Sequence, residues 1–187
     1  MRIISGSLKG KSINFIKNSK TRPLKDSVKE NIFNVLIHSK FIKTKIENSN
    51  ILDLYSGIGS FGIEAFSRNA KKITFVEQDK EAFDILKKNL IKLSLVEKST
   101  IFHDKIENVL LLNNNIGKFN IFFLDPPFAD FNFLENLKLI KKKKFFDLNH
   151  IVILHRENTT DDNFKDLLKI VEVKRYGRSK ILFGIFS

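Results

Sequence analysis

The chain has 187 residues, of which 42% are hydrophobic, enough for one domain with a sizeable core. The absence of cysteine excludes a disulfide framework, and the histidines at 38, 103, 150 and 155 lack metal-ligand spacing, so we expect no metal and interpret each histidine as a surface or satisfied residue. No stretch approaches the roughly 20 apolar residues of a membrane span and no signal peptide is evident, so we expect a cytoplasmic protein without a membrane partner.

Basic residues are concentrated near the N-terminus. The formal net charge is +12, and residues 1–25 contain seven basic residues and no acidic one. Lys, Ile, Asn and Phe are abundant throughout, as an AT-rich genome would produce, so the position of the charge is a better indicator than its total. This uneven distribution predicts a surface that contacts the phosphates of a polyanion.

Two short β-prone runs, residues 2–5 and 11–15, open the chain. Glycines and a serine separate them, which predicts a small β-hairpin with Lys9 and Lys11 at its tip. We therefore assign residues 1–25 to a basic N-terminal hairpin extension. The residues of this extension that we predict to contact phosphates are Arg2, Lys9, Lys11 and Arg22.

An amphipathic helix is predicted after the extension. Asp26 is a candidate N-cap, and the apolar residues that follow it recur at helical spacing: Val28, Ile32, Phe33, Val35 and Leu36. This helix begins the second region of the chain, residues 26–187, on which we expect it to pack.

A strand, a glycine-rich turn and a helix are predicted from residue 51 to residue 66. Gly57 and Gly59 allow a tight turn that a ligand can approach closely, and Gly62 allows the helix to pack close to the strand. This arrangement is typical of a nucleotide-binding turn. We assign Tyr55, at the end of the strand, to the same cofactor site.

Acidic residues follow the neighbouring strand ends. Glu77 ends the strand 72–77, twenty positions after Gly57, where a carboxylate can accept hydrogen bonds from ribose hydroxyls. Asp53 suits a cationic ammonium and would repel a pyrophosphate, which favours S-adenosylmethionine over a dinucleotide. Asp104 is placed to accept from an adenine amino group, and it is also a candidate N-cap for the helix that follows.

The segment Asp125-Pro126-Pro127-Phe128 follows the apolar run 121–124. Two prolines prevent further ladder hydrogen bonds, so the chain leaves the sheet with backbone carbonyls and a carboxylate directed into a crevice. Such acceptors would localise the lone pair of an exocyclic amine on a planar heterocycle, and Phe128 would stack on the ring. These four residues are the predicted catalytic site; a strand that simply ends at prolines beside a solvated Asp is the alternative.

Predicted strands and helices alternate from residue 51 onward, which indicates an α/β fold with a doubly wound, mostly parallel sheet. After a helix at 161–168, two β-prone runs predict an antiparallel hairpin at the sheet edge. The ligand is expected where the strand order reverses, outside the carboxyl ends of the strands. The predicted strands cover residues 51–55, 72–77, 99–103, 119–124, 150–155, 170–176 and 180–186, and the helices between them cover 60–68, 80–93, 106–113 and 133–142.

These motifs resemble the class I S-adenosylmethionine-dependent methyltransferases of exocyclic amines, through residues 53–65, Glu77 and 125–128. Residues 22–36 resemble the segment that precedes the catalytic domain in the RsmD family, bacterial 16S ribosomal RNA guanine-N2 methyltransferases, and residues 67–70 fit as well. The match spans nearly the whole chain. Departures from the family pattern lie outside the glycine turn and the diproline segment, at Leu24, Ser27 and Asn69.

The resemblance implies a seven-stranded Rossmann-like methyltransferase sheet with S-adenosylmethionine as cofactor. It implies methyl transfer to the N2 amine of a guanine in 16S ribosomal RNA. The expected partner is small-subunit ribosomal RNA or an assembling 30S particle, and we expect a monomer.

Other functions remain open at the level of sequence. The diproline motif serves adenine-N6 methylation of RNA or DNA equally well. An NAD-dependent dehydrogenase would use the same glycine turn, but no histidine has a convincing catalytic setting. A non-catalytic RNA-binding module is the third alternative, against which the intact Gly57, Gly59, Glu77 and Asp125 argue.

Overall fold

The computed structural model of the chain describes residues 1–16, 24–112 and 116–187. Arg22, predicted to contact phosphates, lies outside these ranges, as does the last residue of the helix predicted at 106–113. No helix within the described ranges is long and apolar enough to cross a membrane.

A seven-stranded sheet forms the centre of the fold, in the order β3-β2-β1-β4-β5-β7-β6. Strands β1 to β5 are parallel, and β7 runs antiparallel to both β5 and β6. This topology confirms the predicted doubly wound sheet with a C-terminal antiparallel hairpin. The strands are β1 (Asn50–Leu54), β2 (Lys72–Glu77), β3 (Ser99–His103), β4 (Phe119–Leu124), β5 (Phe146–Glu157), β6 (Leu168–Tyr176) and β7 (Ser179–Phe186).

The two central strands are apolar on both faces because helices cover both sides of the sheet. Ile51 and Leu54 of β1 and Ile121 and Leu124 of β4 are fully buried. The strand order reverses between β1 and β4, and a crevice forms at such a point, outside the carboxyl ends of the strands. The residues that follow β1, β2, β3 and β4 are therefore brought to one edge of the sheet.

The helices divide between the two faces of the sheet. Apolar residues of α1, α2 and α3 belong to one hydrophobic cluster, and those of α4 and α5 belong to a second. An aromatic stack joins α1 to the sheet, since Phe61 lies between Phe33, at 5.1 Å between ring centroids, and Phe123, at 3.9 Å. The helices are α1 (Asp26–His38), α2 (Ser60–Ser67), α3 (Lys80–Lys92), α4 (Ile106–Leu112) and α5 (Phe133–Lys143).

The N-terminal segment forms a short antiparallel pairing and packs on α2; the backbone N–H groups of Ile3 and Ile13 donate to the carbonyls of Lys11 and Met1, both at 3.0 Å. The buried carboxylate of Glu64 accepts hydrogen bonds from the backbone N–H groups of Ile4 and Ser5, at 2.8 and 3.0 Å. Only one antiparallel bridge, between Arg2 and Ser12, joins the two runs within the described residues. The pairing is short because α2 satisfies backbone groups that a hairpin ladder would use.

The segment before β6 differs from its prediction. Residues 161–167 form irregular chain and a turn, so the helix predicted at 161–168 is wrong. The carboxylate of Asp162 accepts two hydrogen bonds from the guanidinium of Arg156, at 3.1 and 3.2 Å, and one from the hydroxyl of Thr160. A buried ion pair therefore holds this segment against the sheet, and its geometry overrides the local helical pattern.

Candidate active site

A cavity of about 690 Å³ lies at the carboxyl ends of the parallel strands. This volume is in the range of small-molecule and cofactor sites. Its walls come from the segments that follow β1, β2, β3 and β4, from His155 of β5, and from Phe15, Ile16 and Leu24 of the N-terminal part of the chain. The cavity therefore brings the glycine turn and the diproline corner, residues 125–128, into one space.

The glycine turn has the backbone that its sequence predicts. Gly57 and Gly59 have φ angles of 55° and 82°, in the left-handed region that glycine adopts without strain. A Cβ at Gly59 would lie 2.4 Å from a side-chain carbon of Leu86, and one at Gly62 would lie 2.3 Å from the ring of Phe75. Gly59 and Gly62 thus pack the turn against the protein, whereas Gly57 lines the cavity.

Glu77 joins the end of β2 to the glycine turn. Its two carboxylate oxygens accept hydrogen bonds of 2.7 Å, Oε2 from the backbone N–H of Gly57 and Oε1 from that of Asp79. Each oxygen keeps a second lone pair, so the carboxylate can also accept from a ligand. Its predicted contact with ribose hydroxyls is sterically open because Glu77 lines the cavity.

Asp53 lies beneath the glycine turn and not on the cavity wall. Its side chain is 1% exposed; Oδ2 accepts a 3.1 Å hydrogen bond from the N–H of Gly62, and Oδ1 has no partner among the described residues. Burial raises the pKa of Asp53 well above its usual value, and the nearby carboxylates of Asp125 and Glu77 raise it further. Asp53 therefore supports the glycine turn through Gly62 and does not line the cavity.

Asp104 and Tyr55 both line the cavity. Oδ1 of Asp104, an exposed residue, accepts from the N–H of Lys105 at 2.7 Å and from the side-chain amide of Asn108 at 2.8 Å, and the Asn108 bond lowers the pKa of Asp104. Burial raises the pKa of Tyr55, whose hydroxyl also interacts with Asp130. Tyr55 has a φ of 60°, unusual for a residue with a side chain, and its hydroxyl accepts a 3.4 Å hydrogen bond from the side-chain amide of Asn136 on α5.

Asp125 stands at the end of β4 with its side chain partly exposed to the cavity. Pro126 is buried and Pro127 is exposed, and the carbonyl of Pro127 accepts a 2.8 Å hydrogen bond from the N–H of Asp130, which closes a turn. The Phe128 ring lies on the cavity wall. The carboxylate and ring of the predicted tetrad therefore reach the same space as the glycine turn.

His155 is part of this site, contrary to its interpretation as a surface or satisfied residue. Its Nδ1 lies 2.7 Å from Oδ1 of Asp125, and its ring meets that of Phe128 edge-on at 5.6 Å. The parallel register of β4 and β5 pairs Leu124 with Leu154, which sets the next residue of each strand side by side. The sequence contains one indication of this pairing, since Asp125 and His155 each directly follow a four-residue apolar run.

Arg156 holds the diproline corner by its backbone. This side chain is fully buried and forms an ion pair with Asp162, whose side chain is 1% exposed. Its Nη1 donates to the carbonyls of Pro127 and Asp130, both at 3.3 Å, and its guanidinium carbon lies 4.6 Å from the ring centroid of Phe133. No motif in the sequence indicates this role.

The basic residues predicted to contact phosphates lie on the N-terminal segment. Arg2, Lys9 and Lys11 are exposed, and Arg22 is outside the described residues. The same segment supplies Phe15, which is 46% exposed and lines the cavity. A basic surface and the wall of the cavity are therefore formed by one short stretch of chain.

Comparisons with known proteins agree with this architecture. The model of a family described as conserved hypothetical protein 95 matches residues 1–185. Ribosomal RNA small subunit methyltransferase D of Buchnera aphidicola subsp. Baizongia pistaciae is 35% identical, covering 85% of this chain and 77% of the relative. The protein of the same name from Haemophilus influenzae is 35% identical, covering 84% and 79%. A solved Escherichia coli structure, assigned as the methyltransferase yhhF, has a TM-score of 0.83 at 25% identity, covering 100% and 98%.

Replacing Arg156 with Ala is expected to lower the free energy of unfolding by about 3–5 kcal/mol, because the Asp162 carboxylate would remain buried without its partner. Urea denaturation followed by circular dichroism measures this change. The control is Arg178→Ala, which removes an ion pair with Glu157 whose arginine side chain is 79% exposed. That pair is worth about 0–1 kcal/mol. Equal losses in the two variants would contradict the role given to Arg156.

Replacing Asp53 with Asn is expected to have a more favourable effect on the stability of the ligand-free protein at pH 7 than at pH 4. The pKa of Asp53 is raised in the folded state, so the native protein holds this proton more tightly than the unfolded chain. Its contribution to stability is present below the unfolded pKa and is lost as the pH rises toward the folded pKa. The unfolding free energy of the variant minus that of the parent should therefore increase from pH 4 to pH 7.

The control for this pH effect is Asp84→Asn. Asp84 is exposed, and its pKa is lowered by the hydrogen bond from Lys80. Its stabilising contribution is present above the unfolded pKa and is lost as the pH falls, so this variant should show the opposite sign. A difference for Asp53→Asn that decreases with pH would contradict the assignment.

Proposed function

Since the chain belongs to the conserved hypothetical protein 95 family, the RsmD family of ribosomal RNA methyltransferases, we propose that it methylates the exocyclic N2 amine of a guanine in 16S ribosomal RNA. It is a ribosomal RNA methyltransferase, and its methyl donor is S-adenosylmethionine. The observation that carries the proposal is the single cavity that contains both the glycine turn and the diproline corner.

The charge of the cavity wall fits a cationic cofactor. Six of the described lining residues are acidic, against one lysine, Lys105; the acidic ones are Glu77, Asp79, Asp104, Glu107, Asp125 and Asp130. A wall of carboxylates attracts a sulfonium and an ammonium group and repels a pyrophosphate. This distribution supports S-adenosylmethionine over the dinucleotide of a dehydrogenase.

The positions of the residues around the cavity suggest which of them would hold each part of the cofactor. Glu77 accepts from the ribose hydroxyls, and the backbone at Gly57 lets the ligand approach closely. Asp104 accepts from the adenine amino group, while Tyr55 and Gly59 shape the turn. Asp53 lies beneath the turn, where its carboxyl group favours the positive charge of the amino acid end. Gly62 packs that turn on β2. When bound, S-adenosylmethionine supplies a methyl group on a positively charged sulfur, which becomes a neutral thioether on transfer.

The diproline corner receives the amine. Asp125 and the carbonyl of Pro126 accept hydrogen bonds from the amine. These bonds favour a tetrahedral nitrogen and stabilise the positive charge that develops on it. On accepting the methyl group the nitrogen would lose one proton, for which Asp125 or water would be the acceptor. The protein contributes alignment of the nitrogen, the methyl carbon and the sulfur.

The target base must leave its helix to reach this corner. A guanine amine in paired RNA cannot align with a sulfonium in the cavity, so the base is unpaired or flipped out. Phe128 offers a ring on which it stacks, and Pro127 fixes the chain that carries the ring. The choice of guanine over adenine rests on the resemblance to the RsmD family, since the relatives at 35% identity are named only as small-subunit ribosomal RNA methyltransferases.

RNA is held by phosphate contacts outside the cavity. We assign this role to the extension 1–25 through Arg2, Lys9, Lys11 and Arg22, with residues 26–187 as the methyltransferase domain. Contacts to the backbone position the substrate while the pocket reads the base. The substrate is small-subunit ribosomal RNA, free or in an assembling 30S particle, and the enzyme acts as a monomer.

Replacing Asp125 with Ala is expected to reduce methyl incorporation into 16S ribosomal RNA by about 100- to 1,000-fold, because the variant has no side-chain acceptor at the developing charge. Binding of S-adenosylhomocysteine, measured by calorimetry, should be retained. Asp147→Ala is the control, since this exposed carboxylate lies at the opposite end of β5. Mass spectrometry of the modified nucleoside distinguishes N2-methylguanine from N6-methyladenine, and only the former is consistent with the proposal.

Replacing Lys9 and Lys11 together with Ala is expected to weaken RNA binding and to reduce its salt dependence. The slope of log affinity against log salt should fall by about one for each phosphate that the variant no longer neutralises. Filter binding over a range of salt concentrations measures the slope. The control is the pair Lys142→Ala and Lys144→Ala at the end of α5, on the sheet edge opposite the cavity. Equal changes in both pairs would exclude a specific role for the extension.

A further inference from the structure

We propose that His155 is a positioning residue for methyl transfer. It donates its Nδ1–H to Oδ1 of Asp125 and thereby holds the carboxylate with Oδ2 available to the amine. This inference rests on the proposed function, because it assigns Asp125 to the amine. It adds to the diproline corner a residue from another strand, thirty positions along the chain.

The contact between His155 and Asp125 has the geometry of a strong hydrogen bond and is largely shielded from solvent. The atoms Nδ1 of His155 and Oδ1 of Asp125 are 2.7 Å apart, and the two side chains are 11% and 24% exposed. A hydrogen bond to an ionised acceptor is short and is roughly twice as strong as one between neutral groups. Shielding from water strengthens it further.

The other ring nitrogen of His155 indicates where the proton lies. Nε2 is buried and has no hydrogen-bond partner among the described residues. A proton on Nε2 would leave a buried donor unsatisfied, whereas a bare nitrogen there leaves only an unused lone pair, a less costly arrangement. The favoured tautomer therefore carries its proton on Nδ1, which makes the ring the donor and Asp125 the acceptor.

Without this donor the Asp125 carboxylate is free to rotate. The terminal torsion of an aspartate side chain has broad minima, so nothing intrinsic to the residue fixes its oxygens. Among the described residues, His155 is the hydrogen-bond partner of the Asp125 side chain, and it uses Oδ1 alone. A carboxylate held in this way presents Oδ2 to the cavity in one orientation, which in-line transfer requires.

His155 also contacts the ring assigned to the target base. The rings of His155 and Phe128 lie 5.6 Å apart at an angle of 83°, an edge-on arrangement. One imidazole therefore touches both the carboxylate that accepts from the amine and the ring on which the base stacks. Its position at the end of β5, in register with β4, makes this support rigid.

The test compares His155→Leu with His155→Asn in the full-length protein. Leu removes the hydrogen bond, whereas the Asn side-chain amide places an N–H near the position of Nδ1. Leu should lower kcat by about 10- to 100-fold with KM for RNA within about twofold, because the variant impairs orientation and not binding. Asn should retain kcat within about threefold, and both variants should bind S-adenosylhomocysteine like the parent protein.

A double-variant cycle shows whether His155 acts through Asp125. In the Asp125→Asn background, His155→Leu should cause no further decrease of kcat, since the carboxylate to be oriented is already absent. The inference is overturned if His155→Leu keeps the parent kcat, if His155→Asn is as impaired as His155→Leu although its thermal melting is unchanged, or if the two decreases multiply. Failure of the proposed function would be separate, because Asp125→Ala alone would then leave methylation intact.

Discussion

The diproline corner is held by a positive charge that has no access to water. The guanidinium of Arg156 is buried against Asp162 and donates to the carbonyls of Pro127 and Asp130. Taking both charges out of water is costly, and the ion pair compensates only when its geometry is close to ideal. The loop after β4 is therefore held in one conformation, so that the Asp125 carboxylate meets the cavity at a defined angle.

Carboxyl groups are concentrated around the cavity at the ends of the central strands. Asp53 is buried with an unpartnered oxygen near two further carboxylates, Asp125 and Glu77; burial raises its pKa, and repulsion from these two carboxylates raises it further. Such an arrangement disfavours the charged form of Asp53 in the folded protein.

The N-terminal segment connects the basic surface to the cavity. Its backbone is bonded to Glu64 of α2, its apolar residues Ile3 and Ile13 belong to the core cluster of the sheet, and Phe15 forms part of the cavity wall. The segment does not stand away from the domain as a free arm. Ser7 and Leu8, next to Lys9, bond to Ser67 at the C-terminal end of α2, so the segment runs from that end of the helix to Phe15 at the cavity.

Local patterns in the chain were sufficient to predict the strands and helices from β1 to α5, the glycine turn and the diproline corner, because apolar periodicity, glycine and proline act through neighbouring residues. The same patterns gave a false helix at 161–168 and no role for His155 or Arg156. Those features depend on the register between β4 and β5 and on a loop folding back to bury Asp162. Contacts between residues distant in the chain are decided when the sheet assembles, since pairing and burial act through space and leave no periodic signal along the sequence.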